Sequence, residues 1–97
     1  MTRVLIIRPE AEGEALEARG WYEERRPGLG DEFGAAVDAT VTRIVERPLA
    51  FPRARGETRR AVLVRFPYAL YFRVTEEDIV VLAVHGRQNP TRWQRRA

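Results

Sequence analysis

The sequence predicts an α+β fold in the order β-α-α-β-β-β, with a helical hairpin packed on a small antiparallel sheet and a short basic tail. Three observations predict it. The chain opens with a short β-rich run, Val4-Leu5-Ile6-Ile7. Two stretches with apolar residues at helical spacing then flank the break Arg26-Pro27-Gly28-Leu29-Gly30. After the second stretch, helical periodicity gives way to three β-branched and aromatic runs ending at His85.

The first helix opens at Arg8-Pro9-Glu10, because proline suits a first helical turn and acids there complement the helix dipole. Ala11, Ala15, Ala18 and Tyr22 form its apolar stripe, and the small side chains allow close packing on a second helix. Asp31-Glu32 place negative charge at the start of that second helix. Phe33, Val37, Val41, Ile44 and Val45 trace its buried face, and Pro48 ends it. Pro48 to Gly56 reads as a loop. Ala61 to Phe66 is the next strand, with Val62, Val64 and Phe66 on one face and Arg65 on the other. Pro67-Tyr68 makes a corner before a strand from Leu70 to Val74, where Leu70, Phe72 and Val74 oppose Tyr71 and Arg73. Thr75 to Asp78 is a polar turn. Ile79 to His85 is almost continuously apolar, as expected of a strand lying centrally or covered on both faces. Asn89 to Ala97 is expected to form a short basic helix around Trp93. One sheet face is thereby left partly open, carrying arginine and tyrosine. Trp21 and Tyr22 are expected between helix and sheet, and Trp93 as a cap on the core.

Ninety-seven residues make one domain, residues 1–97. A hydrophobic content of 44% with nine aromatics indicates a folded chain rather than a disordered one. There is neither cysteine nor serine, which excludes disulfides, thiolate metal sites and the usual covalent nucleophiles. The single histidine leaves only scattered carboxylates for a metal, so no metal site and no cofactor are expected. No apolar stretch is long enough to span a membrane and no signal peptide is visible, so a cytoplasmic location is expected. The basic residues besides His85 are all arginine, a bias that needs nothing more than a GC-rich coding sequence.

The net charge of +3 conceals an asymmetry. Residues 1–52 carry seven arginines against ten acids, and residues 53–97 carry ten arginines against four. The basic half suits an anionic partner, or else its arginines merely solubilise exposed strands. Arginine, tyrosine and one histidine near strand ends are also the set that metal-free RNA cleavage requires. His85 would move protons, Arg65, Arg73 and Arg87 would clamp the phosphate, and Tyr71 would stack on a base. Against this, a lone strand-end histidine more often has a structural role, and Arg59-Arg60 reads as a solvated edge with some capacity for anions.

The string from Arg59 through Arg65-Phe66-Pro67-Tyr68, followed by Tyr71-Phe72-Arg73-Val74, resembles the central hairpin of RelE/ParE superfamily toxins. So do Val81 to Pro90 with Trp93 and Arg96, and upstream Trp21-Tyr22-Glu23 with Pro27-Gly28-Leu29-Gly30-Asp31-Glu32-Phe33. The likeness covers nearly the whole chain. It implies the toxin of a bacterial type II toxin–antitoxin system, neutralised by a cognate antitoxin in a hetero-oligomer. The ParE-like, plasmid-stabilisation branch is favoured, and with it inhibition of DNA gyrase by binding. The alternatives are a ribosome-dependent mRNA endoribonuclease of RelE type, using Arg65, His85 and Arg87, or a member that retains only antitoxin binding. RelE-type nucleases carry lysines and a C-terminal tyrosine, which this chain lacks. Arg59, Arg60, Tyr71, Arg73, Trp93 and Arg96 are the residues expected to meet the antitoxin or an anionic target.

Overall fold

The computed structural model describes residues 2–86. It contains two helices, α1 (Pro9–Arg25) and α2 (Leu29–Glu46), on one face of a five-stranded sheet. The strands are β1 (Val4–Ile7), β2 (Arg53–Arg55), β3 (Thr58–Val62), β4 (Tyr68–Val74) and β5 (Asp78–Gly86), and their spatial order is β1-β5-β4-β3-β2. Neighbours from β5 to β2 are antiparallel, whereas β1 runs parallel to β5. The sheet is therefore mixed rather than purely antiparallel. The parallel pair follows from connectivity, because α1, α2 and the β2–β4 hairpins all intervene between β1 and β5. Among the described residues, no helix is long and apolar enough to cross a membrane.

Pro9 occupies the first turn of α1 with Glu10 and Glu12 beside it, and Arg25 lies in its last turn. The predicted stripe faces inward: Ala11 and Ala18 are buried, and Ala15 and Tyr22 pack against the core. The second helix starts at Leu29, earlier than its acids suggest, because Gly28 adopts a left-handed conformation (φ 89°) and turns the chain directly into it. The carboxylate of Glu23 accepts hydrogen bonds from the backbone N–H groups of Gly28 (3.0 Å) and Gly30 (2.9 Å), satisfying donors that α2 leaves open at its N-terminus. The helices come so close here that a Cβ on Gly30 would lie 2.8 Å from the Arg19 carbonyl oxygen.

The core lies between the helices and the sheet, built on Phe33, Ile44, Leu70, Phe72, Ile79 and Val81. Tyr22 stacks on Phe33 (5.2 Å between centroids) and meets Phe66 edge-on (4.9 Å), and Phe33 in turn meets Phe66 and Tyr68. Full burial of rings such as Phe33 and Phe72 stabilises the fold by about 1.5–3 kcal/mol each. Desolvation, then the nearby Tyr68 hydroxyl, raises the Tyr22 phenol above its ordinary pKa. Trp21, by contrast, is half exposed and lies under the guanidinium of Arg25 at 3.8 Å rather than between helix and sheet.

Two segments differ from the sequence expectation. The stretch from Pro48 to Gly56 contains a short 3-10 turn (Pro48–Ala50) and the extra strand β2. The strand expected over Ala61 to Phe66 instead spans Thr58–Val62, and Arg65 takes a left-handed conformation (φ 72°). That reversal breaks the alternation. Leu63 and Phe66 both enter the core, while Val62 and Val64 stay exposed. Tyr68, expected at a corner, is already in β4.

Candidate functional site

The sheet face opposite the helices carries the basic side chains. Register places Arg55, Thr58 and Arg73 in one row across β2, β3 and β4, and Arg60 opposite Tyr71 in the next. Directly paired residues share a face, so Arg55, Arg60, Arg73 and Tyr71 all lie on this outer side. The three guanidinium-bearing residues are exposed, and Tyr71 is buried with Ala69 and Ala83. None of the residues of β2, β3 or β4 is acidic. The surface therefore presents forked cationic donors that suit carboxylates or phosphates.

His85 lies on the same face, paired with Ala69, but its ring is committed to the fold. Its Nε2 sits 2.5 Å from Oε2 of Glu14 on α1, and the other oxygen of Glu14 accepts the Val84 N–H at 3.0 Å. With Glu14 ionised, its carboxylate accepts and Nε2 donates. β1 ends at Ile7, opposite Val81, and Glu14 reaches the β5 edge beyond that point. The His85 side chain is 3% exposed, and its centroid lies 6.4 Å from that of Tyr71. A general base must come within hydrogen-bond reach of substrate, and a ring buried on a helix carboxylate presents no face for that.

The other sequence-predicted residues are dispersed. Arg65 projects from the β3–β4 connection and pairs with Glu32 of α2 at 3.1 Å. Arg26, in the helix–helix turn, takes the second oxygen of the same carboxylate. Glu14 thus holds His85, and Glu32 holds Arg65, on different helices. Arg59 faces the helix side, where it donates to the carbonyls of Phe51 (2.6 Å) and Leu49, fastening the loop ahead of β2. Arg60 and Arg73 share the outer face with Tyr71, as above. Arg87, Trp93 and Arg96, and the expected tail helix, lie outside the described residues. The sequence assigns no partner to Glu14, Glu23 or Glu32, although Glu23 and Glu32 fall in the family-like strings and Glu32 opens the second helix. They lie among many acids on amphipathic helices, and only their long-range partners distinguish them.

A second concave feature lies on the helix side. Residues of both helices and of the sheet line a groove of about 410 Å³. Its floor is apolar, formed by Ile7, Ala11, Val37, Val41 and Leu70, and Glu12, Arg19, Asp31 and Asp38 stand at its rim. Among the described residues, no group of three or more His, Cys, Asp or Glu side chains is arranged to hold a metal ion.

These features define a small α+β protein with a helical hairpin on one face of a mixed sheet, a basic outer face and an apolar groove lined by both helices. The chain is 36% identical over 92 residues to Toxin ParE2 of Mycobacterium tuberculosis, in each of two strains, covering 93% of this chain and 88% of the relative. A solved structure described as a chromosomal ParDE TA system from P. aeruginosa superimposes with a TM-score of 0.78 at 17% identity, over 88% of this chain and 96% of the other, and shares the fold. No family model matches the chain. The chain belongs to the ParE toxin family, the toxin half of type II toxin–antitoxin pairs.

Proposed function

We propose that the protein is a cytoplasmic, one-domain toxin that binds and inhibits DNA gyrase and is held inactive by a cognate antitoxin. The observation that carries the choice of binding over cleavage is the burial of His85 on Glu14. A ribonuclease reading asks Arg65, His85 and Arg87 to act together. Yet His85 is withdrawn into the fold, and Arg65 pairs with a carboxylate of the second helix. The exposed cations Arg60 and Arg73 beside Tyr71 instead form a contact surface for an acidic partner, and Trp93 and Arg96 contribute to partner binding. Arg59 contributes indirectly, by fixing the loop that leads into this surface.

The antitoxin supplies apolar side chains to the inter-helix groove and carboxylates to the arginines of the sheet, giving a toxin–antitoxin hetero-oligomer. Coupled ordering of a flexible antitoxin segment suits so extended a contact.

The test is controlled expression in a bacterial host with DNA synthesis and translation followed separately, alongside a supercoiling assay with purified gyrase and purified chain. Early arrest of DNA synthesis, inhibited supercoiling, and relief of both by Arg60→Glu with Arg73→Ala are the expected results. Early arrest of translation with supercoiling untouched would transfer the reading to the ribosome-dependent nuclease. Absence of any growth arrest would leave antitoxin binding as the retained function.

A further inference from the structure

The outer face of the sheet is basic without offering a ring to stack on. Arg55 and Arg73 flank Thr58 in one row across β2, β3 and β4, and Arg60 stands in the next row opposite Tyr71. All three arginines are exposed. Neighbouring strands lie about 4.8 Å apart and alternate residues about 6.8 Å apart along a strand, so the three cover a patch of about 10 by 7 Å. On β5 and β1 the row continues as Val80 and Ile6, which carry no charge. The acids after Arg53 are Glu57, Glu76, Glu77 and Asp78. They sit in the β2–β3 and β4–β5 turns or at the first residue of β5, away from the arginine rows.

The chemistry of this patch separates the ways a nucleic acid can be held. Single strands are gripped by aromatic side chains on which unstacked bases lie. Among the described residues the rings on this face are Tyr71 and His85, and they are only 5% and 4% exposed. Neither presents a surface to a base. Exposed guanidiniums need no such surface to bind phosphate, and phosphate contacts position a partner on a duplex without reading its sequence.

We propose that this face docks on the phosphate backbone of duplex DNA, with Arg55, Arg60 and Arg73 each meeting one phosphate. The inference deepens the gyrase reading given above and rests on it for the choice of DNA as the nucleic acid at hand. A duplex carries one charge per about 1.7 Å of axis, so a patch of this size faces at least three phosphates. Three contacts make a weak, sequence-independent site, with a dissociation constant on the order of 0.1 mM at physiological salt. Such a site acts as a second foothold once the toxin is on gyrase, where the bound duplex is at high effective concentration. Antitoxin carboxylates on the same arginines exclude DNA, so neutralisation and DNA contact compete.

The test is fluorescence anisotropy of a labelled duplex of about 20 base pairs, titrated with the purified full chain at several salt concentrations. Three phosphate contacts give a slope of about −2.7 in log affinity against log salt, or binding about fortyfold weaker at about 200 mM than at about 50 mM salt. Arg60→Ala and Arg73→Ala each make the slope shallower by about 0.9. Arg60→Lys, which keeps the charge, preserves the slope, and so does Arg47→Ala, at the end of α2 on the helix side. Equal losses from Arg47→Ala and Arg60→Ala mean diffuse attraction by a basic chain and overturn the docking face. Tighter binding to a single strand of the same length, or equally tight binding to polyglutamate, overturns the duplex as its occupant. Inhibited supercoiling with no duplex binding at about 50 mM salt overturns the DNA contact and leaves the gyrase reading standing. Duplex binding with the expected slope and supercoiling untouched supports the docking face and overturns the gyrase reading instead.

Discussion

Removing the Glu14 carboxylate tests how α1 is tied to the sheet. One oxygen accepts the Val84 N–H and the other the His85 ring N–H, and the two side chains are 14% and 3% exposed. Glu14→Ala strips both donors of their acceptor in a site largely closed to water. Each orphaned donor costs about 1–3 kcal/mol, so the pair costs roughly 2–6 kcal/mol. A chain of this length has a total stability of about 5–15 kcal/mol, and the loss is a substantial part of it. In urea, with a slope of about 1–3 kcal/mol per molar, the unfolding midpoint falls by about 1–3 M. Glu14→Gln keeps an acceptor for Val84 but gives up the carboxylate at His85, and its cost is about half as great. Equilibrium urea unfolding followed by circular dichroism reads both. A Glu14→Ala midpoint within about 0.3 M of wild type would refute the structural role of the pair and return His85 to the candidates for chemistry.

Three further outcomes follow from local geometry. Gly30→Ala forces a methyl against the Arg19 carbonyl and Glu23 and lowers stability by about 1–3 kcal/mol, whereas Gly13→Ala, with open space around it, raises stability by about 0.5–1 kcal/mol; thermal melts of the two should move in opposite directions. Arg65→Gly is neutral within about 1 kcal/mol, because relief of the left-handed backbone offsets lost chain stiffness and an exposed ion pair, while Arg65→Val costs about 1–2 kcal/mol more, and chemical denaturation separates them. The raised Tyr22 pKa means that the folded state keeps its proton where the unfolded chain has lost it. Stability is therefore full below pH about 10 and declines above it, and Tyr22→Phe should flatten that alkaline decline in melts taken from pH 8 to 11.

What the sequence made legible was mostly local. The stripe Ala11, Ala15, Ala18 and Tyr22 faces the core as expected, but Trp21, expected there too, lies about a quarter-turn off that stripe and stays half exposed. The apolar run ending at His85 lies between two strands and is buried along most of its length. Other features have no local signature. An arginine rarely adopts a left-handed conformation, so nothing in Leu63 to Phe66 announced the lost alternation. β2 is too short and too charged to read as a strand beside two prolines and a glycine. At the candidate site, residue types and the basic half of the chain indicated the arginine-bearing face. The partner of His85, however, is fixed by contact between elements at opposite ends of the sequence.

The pairing of β1 with β5 also orders events in time. β1 finds its only described neighbour in residues 78–81, which are synthesised long after it. Until those residues have left the ribosome, Val4 to Ile7 have no ladder to join and Glu14 has no histidine to hold. The β3–β4–β5 meander can close early through short connections, whereas docking of the N-terminus waits on this distant contact. A nascent or prematurely terminated chain that stops short of β5 thus lacks the assembled sheet edge.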